Sequence, residues 1–550
     1  MKNGFSIFTS AVKDLAFWSN PIFIRYCRAK LRPRPLIAWG LIVLILTGFI
    51  FSMTYLLPQR QQKMTQMEAA QLTLLPLFII QCLLLMFKGS FTVASGITRE
   101  GMEGVLDYQR LAPLSPVQKI VGYLFGLPVL DYCLFAMTLP FLAFAVIKGQ
   151  IPLSILVNIY SGFAVAVLLY HMTAYMAGMV VTKRFLAGFI SQTLMFVLYF
   201  VLPNLKGLGY VFFEYLTVRP VVYHEIGKIL PDMARSRMRL DHVDFFNFDL
   251  SIIGFSLVIQ SLLFWVFAMV VYRKWRQESL HILGKHATVI VYAGIMIVLV
   301  GSMIPLIDTG GIFPSQASMN FLDIPHDRTI DGEEAALIPG FFGFLTFGLA
   351  MVLIGQMTAS SDKQMKGWRR AYKYGKGRIG CGDDAYSSLL HTFAIILCGA
   401  LGWCLFTQAL HDSHWYLRWS LEPHYWVWMT LSIALPLVYF QMAKEVWGMR
   451  GAFILNLIWL VALFLGIVLA TISDSFSGVA TYVMMLSGYA LPFFSVEAGI
   501  DGSTVDDNLV GKSAFFHSLI LYACCLPVLF GKWREHHRRL RGETQEQSSQ

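Results

Sequence analysis

The feature that most constrains this chain is a succession of apolar blocks, each about 20 residues long, which is the length that crosses a hydrocarbon core as one α-helix. A chain built of many such blocks has few soluble alternatives, because only helices and closed barrels satisfy their backbone inside a bilayer. Composition agrees: of 550 residues 56% are hydrophobic and 14% charged, against about 25% charged in a soluble domain. The fold class read from this is an all-α polytopic membrane protein. A soluble multidomain enzyme, a disulfide scaffold and a disordered chain are excluded. Of the eight cysteines, Cys82, Cys133, Cys398, Cys404, Cys524 and Cys525 fall in apolar blocks, and no C-x-x-C pair occurs, which argues against an oxidised framework.

Twelve spans are expected, at 36–57, 70–94, 121–147, 153–181, 185–205, 250–271, 287–307, 337–357, 389–410, 425–443, 452–473 and 511–531. A further block, 478–495, reads as a re-entrant hairpin or an externally lodged helix, since an even number of spans returns the basic tail to the side of the amino terminus. The net charge is +10, and its placement along the chain matters more than its sign. Clusters at Arg25–Arg34, Arg273–Arg276, Lys363–Arg378 and Lys532–Arg541 mark the cytoplasmic side, and the acidic 308–336 loop the external one. The expectation is a multi-pass protein of the inner (cytoplasmic) membrane with both termini cytoplasmic. The segment 206–249 is placed outside although it holds six basic residues, because long loops obey the charge rule loosely. The basic amphipathic start reads as no cleavable signal, and the first span as the signal anchor.

The chain reads as a 6+6 repeat: an amphipathic basic segment 1–35, a first half 36–286, a second half 287–531 and a basic polar tail 532–550. Each half has a long cytoplasmic loop between its second and third spans, 95–120 and 358–388. Each has an irregular external stretch between its fifth and sixth, 206–249 and 474–510. Both close on a similar sequence, Lys274-Trp275-Arg276-Gln277-Glu278 and Lys532-Trp533-Arg534-Glu535. Two-fold repeated membrane domains are a common transporter plan.

The most informative loop carries Arg99-Glu100-Gly101, Glu103-Gly104 and Leu106, then Ala112-Pro113-Leu114-Ser115-Pro116. Ser115 and Pro116 predict a helix start, with Ser as cap and Pro in the first turn. A short helix held rigidly between two spans can pass a push from a soluble partner into the membrane, and Arg99 and Glu100 either meet that partner or fix the loop internally. The stretch resembles the cytoplasmic signature of the type-2 ABC transporter permeases. There an Arg-Glu, a Gly and a Leu precede a Thr/Ala-Pro-Leu-Ser turn. Arg99-Glu100, Gly104, Leu106 and Ala112-Pro113-Leu114-Ser115 match in order and spacing, while Gly122-Tyr123 stands where the family has Gly-Lys. The basic lead-in from Asn20 to Arg34 is similar to the family's elbow helix.

The resemblance implies a membrane-spanning permease, an exporter, that is not itself an enzyme. An ABC ATPase subunit would dock on loop 95–120 through Arg99, Glu100, Gly101, Glu103, Gly104, Leu106, Pro113, Leu114 and Ser115, and would bind the ATP and Mg. This chain would hold no cofactor. Its other partners would be membrane lipid and, in a homodimeric arrangement, a second permease copy, with no nucleic acid. The second loop lacks these elements and carries Lys363, Lys366, Arg369, Arg370 and Lys373, which suits either a second ATPase copy or anionic head groups.

Other signals carry less. Gly511-Lys512-Ser513 has Asp506 where a phosphate loop needs its first glycine, and it follows no strand. His411 and His414, and the pair His536-His537, are short of a metal-ligand set, so no metal is expected. Asp131, read as mid-span in the third span, and His171 on the fourth are candidate pathway residues, because burying ionisable groups is costly. Few other charges are read in the spans. They also support two alternatives: a polytopic membrane enzyme acting on lipid-linked substrates, and an ion-coupled secondary transporter using Asp131.

Overall fold

A backbone surrounded by hydrocarbon must pair its N–H and C=O groups within each segment, and the helices of this chain do so. The computed structural model describes residues 17–61, 64–180, 189, 192–193, 195–204, 211–230, 242–246, 248–277, 280–308, 332–374, 379–412, 421–472, 477–499 and 509–549. Among these, ten helices are long and apolar enough to cross a membrane. Their outward faces are apolar, with Ile45, Trp265, Ile290 and Phe453 among the exposed side chains, as hydrocarbon surroundings require. The protein is an all-α, multi-pass membrane protein. The only strands among the described residues are a two-stranded pairing of Val243–Phe245 with Phe248–Leu250.

The chain divides into two compact units. The first contains α1 (Pro21–Lys30), α2 (Pro33–Arg60), α3 (Gln66–Met102), α4 (Val105–Leu111), α5 (Pro116–Gly126), α6 (Val129–Lys148), α7 (Leu153–Val180), the short α8 (Phe212–Tyr215) and α9 (Arg219–Gly227), and α10 (Ile252–Arg276). The second contains α11 (Lys285–Asp308), α12 (Gly332–Met357), α13 (Ser361–Lys373), α14 (Leu389–Asp412), α15 (Tyr425–Ile472), α16 (Ser477–Met485), α17 (Ala490–Ala498) and α18 (Leu509–Ser549).

Starts are set locally. Thr65 and Glu68 form a capping box on α3, with bonds of 3.3 and 2.9 Å, and a proline opens each of α1, α2 and α5. At 37 residues, α3 is about 55 Å long, well beyond a core of about 30 Å, so it projects from the membrane. Within it Leu83–Gly89 forms a π-turn.

Four expected spans differ in detail. The third, 121–147, is two helices: α5 ends at Gly126 and α6 begins at Val129, with Pro128, which has no N–H to give, at the join. Asp131 therefore stands in the first turn of α6 rather than mid-span. Of the fifth, 185–205, the structure describes 189, 192–193 and 195–204, with a π-turn at Val197–Val201. The tenth and eleventh run on as α15, broken at Gly448, whose φ of 69° is a conformation only glycine adopts freely. The 478–495 block forms α16 and α17, each nine residues and too short to cross alone. In the second unit they pack on α12, α15 and α18. The tail beyond 531 is helical, continuing α18 to Ser549.

Just before α11, His281 is buried, its Nδ1 2.8 Å from the Gln356 carbonyl, and its backbone N–H donates to Asp384 at 3.1 Å. Burial, helped by the Lys363 cation, pushes its pKa down to about 4 from 6.5. The folded chain thus holds His281 neutral while the unfolded chain protonates it below 6.5. Its contribution is complete above pH 6.5 and is lost as pH falls from there towards 4. The thermal midpoint of the solubilised protein is expected to drop through that window, and His281→Asn to flatten the drop; an unchanged pH profile in the variant would remove His281 as its source.

Candidate functional site

The loop between α3 and α6 folds through local bonds. The α3 helix closes with the Glu103 N–H on the Arg99 carbonyl at 3.0 Å and the Gly104 N–H on the Gly101 carbonyl at 3.2 Å. Gly104, at φ 70°, reverses the chain into α4. Leu106 is buried, and Leu114 packs on the same apolar cluster. Pro113 is exposed in the turn between α4 and α5. Ser115 caps α5 in a reciprocal box with Gln118, at 3.1 and 3.2 Å. Cap and proline thus act as their sequence positions require.

Arg99 and Glu100, adjacent in sequence, point to different surroundings. Arg99 is exposed and pairs with Glu103 one turn on at 2.7 Å. The Glu100 carboxylate is mostly buried and accepts from Arg25 and Tyr26 of α1 and from Tyr123 of α5. Tyr123 stacks on Trp275 of α10, with centroids 5.6 Å apart, and Trp275 Nε1 donates to the Tyr175 hydroxyl of α7 at 2.7 Å. Burial, and then the Glu100 charge, push the Tyr26 and Tyr123 phenols far up, so both stay protonated donors. Five helices are tied to one carboxylate, directly or through one ring.

The α1 helix reaches this node because α5 offers glycines where it crosses. A Cβ at Gly122 would meet Asn20 Oδ1 at 2.7 Å, and one at Gly126 would meet Tyr26 Cδ2 at 2.9 Å. Asn20 caps α1 and donates to the Gln118 carbonyl at 2.7 Å. Tyr123 is the residue of α5 that reaches Glu100. Beyond the node, Met102, Tyr108 and Leu111 are 60%, 73% and 85% exposed. They stand among the charges of Arg99, Glu103, Asp107 and Arg110, the last two paired with each other.

The two candidate pathway residues do not pair with one another. Buried Asp131 pairs with Lys88, on the π-turn of α3. His171 places Nδ1 3.1 Å from the Tyr132 hydroxyl and Nε2 2.9 Å from the Leu85 carbonyl of that same π-turn. A Cβ at Gly89 would meet His171 Nε2 at 2.7 Å. The π-turn widens the helix and lets a side chain reach its backbone. Lys88, whose ammonium also lies 5.2 Å from the Trp39 ring, was missed from sequence, though a lone lysine in an apolar block signals it.

The second unit has a carboxylate node of its own. Glu445 of α15 is fully buried and accepts from Ser387 Oγ at 3.0 Å, the Ser388 N–H at 3.2 Å, Gln441 at 2.7 Å, and Trp533 Nε1 of α18 at 2.6 Å, with His537 Nε2 3.0 Å away. His537, set aside as a tail residue, is thus a structural partner; its signal was the i, i+4 spacing from Trp533. The remaining histidines are dispersed. His391 meets His286 at 3.2 Å, and His517 meets Tyr482 and Ser513 at 3.3 Å. His411 lies beside Asp412 at 3.3 Å, while His414 is outside the described residues. His242, Asp244 and Asp249, not singled out from sequence, bring ligand atoms within 4.8 Å of one another near the strands, on an open surface. No family model, curated protein or solved structure matches this chain.

Two outcomes follow from these geometries. Glu100→Ala leaves two buried phenols and Arg25 without their acceptor and is expected to cost about 2–4 kcal/mol, seen as a lower unfolding midpoint in detergent, while Arg99→Ala leaves the midpoint unchanged. Lys88→Met strands a buried carboxylate and is expected to cost about 3 kcal/mol. Adding Asp131→Leu should recover most of it, and a double variant no better than the single would show that the pair is not what holds α3 to α6.

Proposed function

We propose that this protein is the permease subunit of an ATP-driven, ABC-type exporter. It lies in the inner (cytoplasmic) membrane as two six-span halves with both termini in the cytoplasm, and a separate ATPase subunit docks on its α4–α5 loop. The observation that carries this reading is the exposed set Met102, Tyr108 and Leu111 on a charged loop. The surrounding Arg99, Glu103, Asp107 and Arg110 belong in water, not among acyl chains. Large apolar side chains held there, ringed by charge, have the composition of a protein-docking centre. The order of the Arg99 to Ser115 motif adds the family resemblance.

The mechanism follows from what is braced and what is free. ATP binding draws the partner ATPase domains together, and the movement presses on α4. Behind α4, the Glu100 node ties α1, α3 and α5 together and reaches α7 and α10 through Tyr123 and Trp275, so displacement of the loop is carried by several helices at once. Hydrolysis and release reset the inward-facing state. The ATP and Mg belong to the partner; this chain supplies the lever and the pathway. Asp131 is paired with Lys88, which favours a structural role for it over the ion-coupling role of the alternative reading.

The test is purification of the tagged chain from its native host in mild detergent, with identification of companions. A stoichiometric ATP-binding subunit is expected. In Tyr108→Asp/Leu111→Asp, bound ATPase should fall by on the order of tenfold or more, as for loss of a docking hot spot, with the unfolding midpoint unchanged. A wild-type chain that recruits no ATPase from any encoded neighbour would overturn the reading.

A further inference from the structure

The second loop differs from the first in what it exposes. On α13, Gln364, Gly367, Trp368 and Ala371 face inward, whereas Lys366, Arg369, Arg370 and Lys373 are exposed. The inward face is covered by protein, since α13 packs on α18. The α18 helix brings Arg534 and Arg538 to an exposed face at the same end of the unit. That the ends coincide follows from the bonds there: Trp533 and His537 reach Glu445, and the neighbouring Lys444 donates to the Gly355 carbonyl, two residues before α12 ends. Two basic segments far apart in sequence thus meet at the end of the spans. The acids near them include Asp362, on the first turn of α13, Asp384, whose charge acts on Lys363, and Glu535, engaged with Arg539 at 2.5 Å.

We propose that this joint α13–α18 surface binds the phosphate head groups of anionic lipid in the leaflet it borders. Three observations select that occupant. The exposed cations Lys366, Arg369, Arg370, Lys373, Arg534 and Arg538 outnumber the acids beside them, and juxtamembrane clusters of Lys and Arg attract anionic lipid. The α13 helix starts within four residues of the end of α12 and is held there by Thr358, which bonds the Ile354 carbonyl at 2.7 Å and lies 3.1 Å from Ser388 Oγ. This keeps it at head-group level. Tyr374, 69% exposed at the end of α13, is the aromatic residue type that seats at a membrane interface. The described exposed face of α13 itself presents no aliphatic or aromatic centre comparable to Met102, Tyr108 and Leu111. The surface is therefore assigned to lipid rather than to a second ATPase copy, and the assignment stands independently of the proposed transport function.

The test uses the full chain in mild detergent, titrated with short-chain phosphatidylglycerol or phosphatidylcholine and read by native mass spectrometry. Preferential binding of phosphatidylglycerol is expected. It should weaken by on the order of tenfold or more in Lys366→Gln/Arg369→Gln/Arg370→Gln/Lys373→Gln, and to a smaller extent in Arg534→Gln/Arg538→Gln. The second variant keeps the test decisive should the first fail to fold. Tyr108→Asp/Leu111→Asp should leave lipid binding unchanged even if it abolishes ATPase recruitment. Equal binding of the two lipids, unaltered binding in both basic-surface variants, or equal affinity for inorganic phosphate would overturn the assignment. So would loss of a soluble protein companion in the two basic-surface variants with their lipid binding intact, which would make the surface a protein dock.

Discussion

A carboxylate removed from water loses several kcal/mol of hydration unless donors replace it, and the first unit is organised around meeting that demand at Glu100. Its three donors come from α1 and α5, elements that lie before and after it in the chain. Each is itself held by further contacts: Arg25 lies 4.7 Å from the Tyr26 ring, Tyr123 stacks on Trp275, and Asn20 pins α1 to α5. An apolar cluster that includes Ile97, Leu106, Leu124, Tyr175 and Val271 surrounds this node. The polar bond network and the apolar packing thus fix the same helices. A loop backed in this way is fixed to the bundle, which is the property the proposed coupling role requires.

The two units solve the equivalent problem with different residues. In both, a tryptophan from the Lys-Trp-Arg motif of a long helix donates its indole N–H inward. Trp275 of α10 reaches the Tyr175 hydroxyl on α7, and Trp533 of α18 reaches the Glu445 carboxylate on α15. The charged acceptor is direct in the second unit, whereas in the first it lies one ring further on, through Tyr123. Retaining the tryptophan while exchanging its acceptor keeps a helix–helix clamp and frees the adjacent loop to differ. The first loop exposes apolar residues and the second exposes cations.

A second theme is the use of irregular helix to admit polar groups. The π-turn at Leu83–Gly89 lets Leu85 accept from the His171 ring and places Lys88 against Asp131. The join at Pro128 puts Asp131 in a helix first turn, where the backbone dipole favours negative charge. An ion pair in this setting holds α3 to α6 through Asp131 Oδ1 and the Lys88 ammonium.

The sequence by itself determined the solvent of this protein. Blocks of about 20 apolar residues allow little but membrane helices. Ser115-Pro116 and Gly104 likewise carry their local structure in their own chemistry, as cap, first turn and reversal. The motif Lys-Trp-Arg was visible twice, but not that each tryptophan turns inward. Which way Glu100 faces, why Gly122 and Gly126 are glycine, that Lys88 finds Asp131 while His171 finds a freed carbonyl, and that α13 and the end of α18 share one basic surface were decided only by tertiary structure. The physical reason is common to all of them. Periodicity and capping act over a few residues and are written locally, whereas the partner of a buried charge is whatever the packing brings within bonding distance, from 23 positions away for Tyr123 and Glu100 to 92 for His537 and Glu445.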